Sequence, residues 1–464
     1  MEKSFQGSRS HNPKLSSQVW IEDIEAPGEK RMFLLLDPAI PSWVIINQDA
    51  MSILEHCDGR RSVEDIAQIV SNRYEIDFST ALKQTESFIR EMEAKLILNA
   101  PLPENPPDKK FRGIALEITK RCNLRCKHCY LDAGSHGADE LDTSNIKDII
   151  TMSKDEGGIS VALGGGEPLL HPDWRKIVNH ALACDLLVSL GTNASLIQED
   201  TAKIMADLPI KIQISLDGAT EATHDAIRGK GSFKATMKGL EFLLANGKGA
   251  DIVLAFTPMK LNIHEVSDFI RLAHKLGISV VQFPPLTPSG RARKNWEALQ
   301  PSNGEMYNFW KTIYTYTQNF QGEMTLLADC FSMDIRRRGM PYQCSIGTQL
   351  RIDPFGNVYP CQCFHFGTDF LLGNLKKTNL KSIIEGEKLK KIKRLSLSRT
   401  KKIQGCTSCR WRHFCGAGCM GYAYETTGTP FEAPTCELRK AWIEFLFAEV
   451  ITRKSQELSL AITV

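Results

Sequence analysis

A chain of 464 residues is too long for one small core, and at ordinary domain size it implies two to four domains. Hydrophobic residues at 42% and charged residues at 24% make a globular composition, which excludes a largely disordered or collagen-like chain. The net charge of +3 creates no field that would mark nucleic acid or an acidic membrane as the main partner. The longest apolar runs, around Val161–Leu163 and Phe445–Phe447, fall far short of a bilayer span, and Met1-Glu2-Lys3-Ser4 lacks the apolar stretch of a signal peptide. A soluble, cytoplasmic protein is expected, with neither a membrane nor a nucleic acid as partner.

Residues 1–17 are polar and punctuated by turn formers, which predicts a flexible lead-in. Residues 18–99 read as a small domain. Runs around Val19–Ile21 and Met32–Leu36 suggest a β-ribbon. Three helical patterns follow. Asn47 can cap the first, which carries Ala50, Ile53 and Leu54, and Ser62 with Asp65 resembles a capping box before Ile66, Ala67 and Val70. The third spaces Leu82, Thr85, Ile89, Met92 and Leu96 at three and four residues. Strands plus three helices at this length fit a winged helix-turn-helix. Residues 100–111 contain Pro101, Pro103, Pro106 and Pro107, a linker that cannot continue a helix. About ten residues of coil span only roughly 18 Å, so the flanking domains must stay close.

From 112 to 300 the chain alternates. Strand candidates at Ile114–Ile118, Ser160–Leu163, Leu186–Leu190, Lys211–Leu216, Asp251–Phe256 and Ser279–Phe283 are separated by helical patterns such as Trp174–Ala183 and Glu265–Leu276. Six β-α repeats of the α/β class predict a parallel sheet with right-handed crossovers. Six is too few for a closed eight-stranded barrel, so a partial (β/α)6 TIM barrel is expected, with its site at the carboxyl ends of the strands. Residues 301–440 read as a cysteine-rich, loop-heavy domain, and 441–464 as a C-terminal helix and tail, the helix running from about Leu438 to Lys454.

Fourteen cysteines in a large chain without an export signal point to metal binding or chemistry rather than disulfides. Cys57 and Cys184 stand alone and read as buried apolar residues. Cys122, Cys126 and Cys129 share one loop at the end of the first barrel strand. Three thiolates there can hold three irons of a cubane cluster and leave the fourth open for a substrate, or can bind zinc, whose structural sites take four ligands.

At this point the chain resembles the radical S-adenosylmethionine enzymes over roughly residues 113–290. The resemblance puts a four-iron cluster on Cys122, Cys126 and Cys129 and S-adenosylmethionine on its open iron. Gly164-Gly165-Gly166-Glu167-Pro168, after the second strand, looks like the family's glycine-rich motif, which receives the methionine amino group. Glycines let backbone approach a ligand closely, and a carboxylate suits an ammonium. Asn193 after strand three, Ser215 and Asp217 after strand four, and Arg228 are the further contacts that the resemblance implies; Arg228 could pair with the methionine carboxylate.

The later cysteines look like the SPASM extension of these enzymes, which holds two auxiliary iron–sulfur clusters. Eleven residues separate Cys344 from Gly356 and four separate Gly356 from Cys361; then come Cys406-x2-Cys409-x5-Cys415-x3-Cys419 and, after sixteen intervening residues, Cys436. The resemblance assigns Cys406, Cys409, Cys415 and Cys436 to an outer cluster and Cys344, Cys361 and Cys419 to an inner one, three [4Fe-4S] clusters in all. The inner set is one ligand short; Cys330 and Cys363 are both available, and Cys330 is favoured because it precedes Cys344. The basic run Lys381–Lys402, with nine Lys/Arg, reads as a solvated face or as a docking surface for an acidic electron donor of flavodoxin or ferredoxin type.

The third helix of the first domain mixes Glu86, Glu91 and Glu93 with Lys83, Arg90 and Lys95, which is no basic recognition face. Ahead of a SPASM-type enzyme, Ile45-Ile46-Asn47 and Cys57–Ala67 make this domain resemble the PqqD-like RiPP recognition element, which binds a leader peptide as an added strand. The combination implies a peptide maturase. It would cleave S-adenosylmethionine reductively and let the 5′-deoxyadenosyl radical take hydrogen from a leader-bound precursor peptide, with a thioether crosslink as the leading product and a carbon–carbon bond close behind. A small-molecule substrate such as a tetrapyrrole, or a protein side chain, is the alternative within the family. A zinc-binding, DNA-binding winged-helix regulator is the alternative outside it.

Overall fold

The computed structural model describes residues 12–460 apart from 17, 25–30, 39–40, 100–108, 135–138, 321, 334, 336–343 and 366. Most of the expected lead-in 1–17 and the proline-rich part of the expected linker therefore lie outside the described residues.

The first domain is a three-stranded antiparallel sheet in the order β1 (Trp20–Ile24), β2 (Met32–Asp37), β3 (Ser42–Asn47), followed by α1 (Gln48–Leu54), α2 (Val63–Tyr74) and α3 (Phe78–Ala94). Both expected caps form: Asn47 accepts from Ala50 N–H at 2.8 Å, and Ser62 and Asp65 exchange side-chain and backbone bonds. The strand β3 adds to the predicted ribbon. Its residues are buried on both faces, so Ser-Trp-Val-Ile-Ile-Asn lacks the alternation that marks a half-exposed strand. Phe33, Leu35, Val44 and Ile46 pack on the helices, while Leu34, Leu36 and Trp43 face the rest of the protein.

The barrel strands are β4 (Gly113–Glu117), β5 (Ser160–Gly164), β6 (Leu187–Thr192), β7 (Lys211–Ser215), β8 (Ile252–Ala255) and β9 (Val280–Phe283), parallel and in sequence order. The sheet extends further than the six repeats. Strand β10 (Thr325–Ala328) runs parallel to β9, and β11 (Gln349–Ile352) runs parallel to β4, leading into β12 (Asn357–Tyr359) and β13 (Gly373–Asn374). These strands are short and lie in the cysteine-rich stretch, where turn residues mask a strand pattern. That stretch is also less loop-rich than its composition suggests, with helices at Asn303–Asn319 and Glu387–Lys402. The last helix spans Cys436–Leu460.

The C-terminal helix joins first domain and barrel. Trp43 Nε1 donates to Ile335 O at 2.6 Å, and its ring meets Phe447 edge-on at 5.3 Å. Arg410 pairs with Glu22 at 3.1 Å and lies over the Trp20 ring. Among the described residues no helix is long and apolar enough to cross a membrane.

Candidate active site

The loop after β4 carries Cys122, Cys126 and Cys129 and is held from three directions. Gly166 N–H donates to Thr119 O and Glu167 N–H to Arg121 O. Lys127 N–H reaches Ile227 O. Arg291, after β9, donates through Nε to Cys126 O at 2.9 Å and through Nη1 to Ala133 O at 2.6 Å, and its own N–H binds Cys129 O. Gly290 stands at φ +56°, where a Cβ would lie 2.4 Å from Tyr130 O.

A cavity of about 350 Å³ opens beside this loop. Its wall includes Cys122, Cys126 and Cys129, the backbone of Gly164–Gly166, and Asn193, Ser215 and Arg228. Arg228 Nη1 approaches Cys126 Sγ at 3.9 Å. Burial lifts the Cys122 thiol to about 11, and Cys126, Glu167 and Cys129 add to the rise. The polypeptide alone therefore does not make this thiol a thiolate; a bound iron would supply that positive charge. Three thiols at one end of a cavity, with glycine backbone and polar groups along it, fit an open-iron cluster and a ligand bound beside it.

Three residues expected as ligand contacts, Glu167, Pro168 and Asp217, are buried and do not line the cavity. Glu167 accepts from Thr192 Oγ1 at 2.7 Å and from Asn193 N–H at 2.8 Å, tying the β5 loop to the end of β6. Asp217 takes Arg228 Nε at 2.7 Å and Thr257 N–H at 2.9 Å, with His128 Nε2 at 3.3 Å. Burial works to raise Asp217, but Arg228 and His128 hold its carboxyl below the usual range. Asp217 thus orients Arg228. The glycines differ from expectation too: a Cβ on Gly165 would sit 2.4 Å from Thr119 O and one on Gly166 2.1 Å from Arg121 O. They make room for the cysteine loop as well as for a ligand.

The sequence reading missed a further part of the cavity wall. Glu117, at the end of β4, forms two bonds with Arg351 of β11, at 2.8 and 2.9 Å. Tyr130 OH donates to Glu117 at 3.2 Å and its ring meets that of His365 at 4.6 Å. Burial opposes both charges, while the Glu117 carboxylate makes Arg351 hold its proton more tightly than usual. All four residues line the cavity, together with Cys363. The available signal was a charged residue inside each of two short apolar strands.

The later cysteines fall into two groups. Cys406, Cys409, Cys415 and Cys436 surround one small cavity with Arg412, Arg439 and Lys440 on its wall. Cys344 and Cys361 pack among Ile346, Tyr359, Phe364, Phe370 and Met420. Cys363 joins this second group, within hydrogen-bond reach of Cys361 and Cys419. Cys330 does not: it is fully buried in the main core, its carbonyl accepting from Trp442 Nε1 at 3.1 Å, and the charges that act on its thiol are Asp329 and Arg439. The preference for Cys330 rested on chain order, but Cys363 lies against the helix Met420–Thr427 that Cys419 caps, a Cβ on Gly421 falling 2.5 Å from its carbonyl oxygen. Among the described residues no three His, Cys, Asp or Glu side chains converge on a single point as one ion would require. Cys57 lies in the first domain's core, its thiol pushed up to about 12 by burial, and Cys184 is half-buried beside His180.

Comparison with known proteins agrees with this geometry. The Radical SAM superfamily pattern matches residues 116–273, the SPASM iron–sulfur cluster-binding domain 344–410, and Coenzyme PQQ synthesis protein D 33–98. Mycofactocin maturase MftC of Mycolicibacterium smegmatis is 31% identical over 335 residues, covering 70% of this chain and 82% of the relative. An AdoMet-dependent heme synthase of Methanosarcina barkeri is 29% identical over 355 residues, covering 71% and 97%. Streptococcus suis SuiB bound to precursor peptide SuiA superposes with a TM-score of 0.56 at 14% identity, covering 90% of this chain and 98% of that one. The chain belongs to the radical SAM superfamily and is an enzyme of it, with a SPASM iron–sulfur domain after the barrel and a PqqD-like domain before it.

Proposed function

We propose that this enzyme is a maturase of a ribosomally made precursor peptide, and that it installs a crosslink, with a thioether favoured over a carbon–carbon bond. The observation that carries the reading is the PqqD-like domain seated on the catalytic body with one sheet edge open. The edge at β1 is engaged by Arg410, whereas among the described residues β3 pairs with β2 alone and is anchored at its start by a bond from the Ser42 hydroxyl to Lys95 O, just past α3. A leader peptide added beside β3 would gain backbone bonds there, and tethering would raise the concentration of its core segment at the cavity. The maturase name of the mycobacterial relative and the peptide named with SuiB support this direction.

Cys122, Cys126 and Cys129 would hold the first cluster, with S-adenosylmethionine against Gly164–Gly166, Asn193, Ser215 and Arg228. Bound there, S-adenosylmethionine would supply radical chemistry that removes hydrogen from the substrate. Arg228, oriented by Asp217, would receive the methionine carboxylate. Cys344, Cys361, Cys363 and Cys419 would hold the inner auxiliary cluster, and Cys406, Cys409, Cys415 and Cys436 the outer. A flavodoxin or ferredoxin-type carrier would deliver the initiating electron.

The test uses anaerobically reconstituted enzyme, S-adenosylmethionine, dithionite and the peptide encoded by a short reading frame beside its gene. The expected product has lost two hydrogens, and loses its yield when the leader is removed. The relation to heme synthases motivates a second reading, a tetrapyrrole-like small molecule. An unmodified peptide together with a consumed porphyrin would replace the first reading by the second.

A further inference from the structure

The two groups of auxiliary cysteines lie in opposite electrical surroundings. The inner group sits among apolar and aromatic side chains, Ile346, Tyr359, Phe364, Phe370 and Met420. The outer group has Arg412, Arg439 and Lys440 around its cavity. Of these cations Arg439 is the one built in. Its side chain is 2% exposed; Nε donates to Cys415 Sγ at 3.3 Å and Nη2 to Cys415 O at 3.1 Å, while Nη1 is anchored by Asp329 at 2.9 Å. A second buried guanidinium, Arg399, acts on the inner group's Cys419 and Cys344 ahead of the outer group's Cys406 and Cys415, but its bonds go to the backbone carbonyls Gly418 O, Pro430 O and Glu432 O rather than to a sulfur. The inner group's comparable contact is a neutral one, Tyr422 N–H to Cys419 Sγ at 3.4 Å.

Reducing a four-iron cluster adds one negative charge and makes or breaks no bond. Apolar burial penalises that added charge, whereas a fixed cation bonded to a ligand sulfur favours it. Arg439 keeps its proton in both states. Resting on the cluster assignment proposed above, we infer that Arg439 is a positioning residue that sets the potential of the outer auxiliary cluster. It makes the outer cluster the easier of the two to reduce, and so the place where the electron released on product formation comes to rest. Transfer from inner to outer cluster then runs downhill, the inner oxidised and the outer reduced by the same electron.

The experiment is a mediator-buffered titration with dithionite of the full-length, reconstituted enzyme, followed by electron paramagnetic resonance. The outer signal is identified as the one lost in a Cys409→Ala/Cys436→Ala variant. Arg439→Gln should lower the reduced-to-oxidised ratio of that cluster at least tenfold at fixed poise, about 59 mV for one electron, leaving the other two midpoints in place. Asp329→Asn, at a 43% exposed carboxylate, frees Arg439 of its counter-charge and should raise the same midpoint. An unmoved outer midpoint in either variant, with iron content intact, overturns the inference while the assignment stands. If Arg439→Gln loses iron, the Asp329→Asn shift decides alone. A double cysteine variant that loses neither iron nor signal overturns the assignment and the inference together.

Discussion

Glu117 and Arg351 sit on the paired strands β4 and β11, Arg351 opposite Ala115, and reach diagonally across to join through two buried bonds of 2.8 and 2.9 Å. The pair connects the strand that leads into the cysteine loop with the segment that carries Cys361 and Cys363. Arg351 also donates to Phe364 O at 3.1 Å. Removing one partner of a buried pair leaves the other charge uncompensated, at a cost of about 3–5 kcal/mol. Arg351→Ala should therefore lower unfolding free energy by about that much, measured by denaturant titration of the metal-free protein. A loss below about 1 kcal/mol, the range of a surface pair, would refute the claim.

Gly166 leaves no room for a side chain, because its Cβ would stand 2.1 Å from Arg121 O. Gly166→Ala must move the cysteine loop relative to the glycine-rich turn. A displacement of this order near reacting groups costs about 100-fold in rate. The expected result is a fall of that size in 5′-deoxyadenosine formation with iron content preserved. Wild-type turnover in Gly166→Ala would show that the close approach has no bearing on the reaction.

Cys363 and Cys330 give a direct contrast. Cys363→Ala should cost iron from the inner cluster, or leave it with an altered spectrum, while Cys330→Ala should keep the full complement of about four irons per cluster. The readout is iron and sulfide per chain after anaerobic reconstitution. Iron loss in Cys330→Ala alone would restore the choice that chain order suggested.

His224 makes stability depend on pH. Burial, then the nearby Arg228, lower it to about 4, and its Nδ1 accepts from Asp217 N–H. The unfolded chain binds a proton near pH 6.5 and the folded one does not until about pH 4, so stability falls as pH drops through that window. The contribution is present above pH 6.5 and amounts to about 3 kcal/mol at most. His224→Asn should flatten the stability profile between pH 6.5 and 4. An unchanged slope would place the proton uptake elsewhere.

Trp43 fastens the first domain to the body through Ile335 O and the Phe447 ring. Trp43→Ala should cost about 3–5 kcal/mol and make the first domain easier to cleave from the rest by limited proteolysis. Equal protease resistance in mutant and wild type would mean that other contacts suffice.

Much of this protein was legible in one dimension because its chemistry is local. Cys122, Cys126 and Cys129 share a loop of eight residues, the glycine-rich turn directly follows a strand, and Ser62 with Asp65 caps α2 within one turn. Such features depend on spacing along the chain, and spacing is what a sequence states. The tertiary structure alone decided what depends on distant approach. Residues 117 and 351 pair across 234 positions because β11 joins the sheet beside β4. Cys363 rather than Cys330 meets Cys419 because the loop after β12 lies against the helix Met420–Thr427, where a Cβ on Gly421 would stand 2.5 Å from Cys363 O. Arg439 reaches Cys415 across 24 residues for the same kind of reason: buried charges choose partners by burial and geometry, and neither is written in the order of residues.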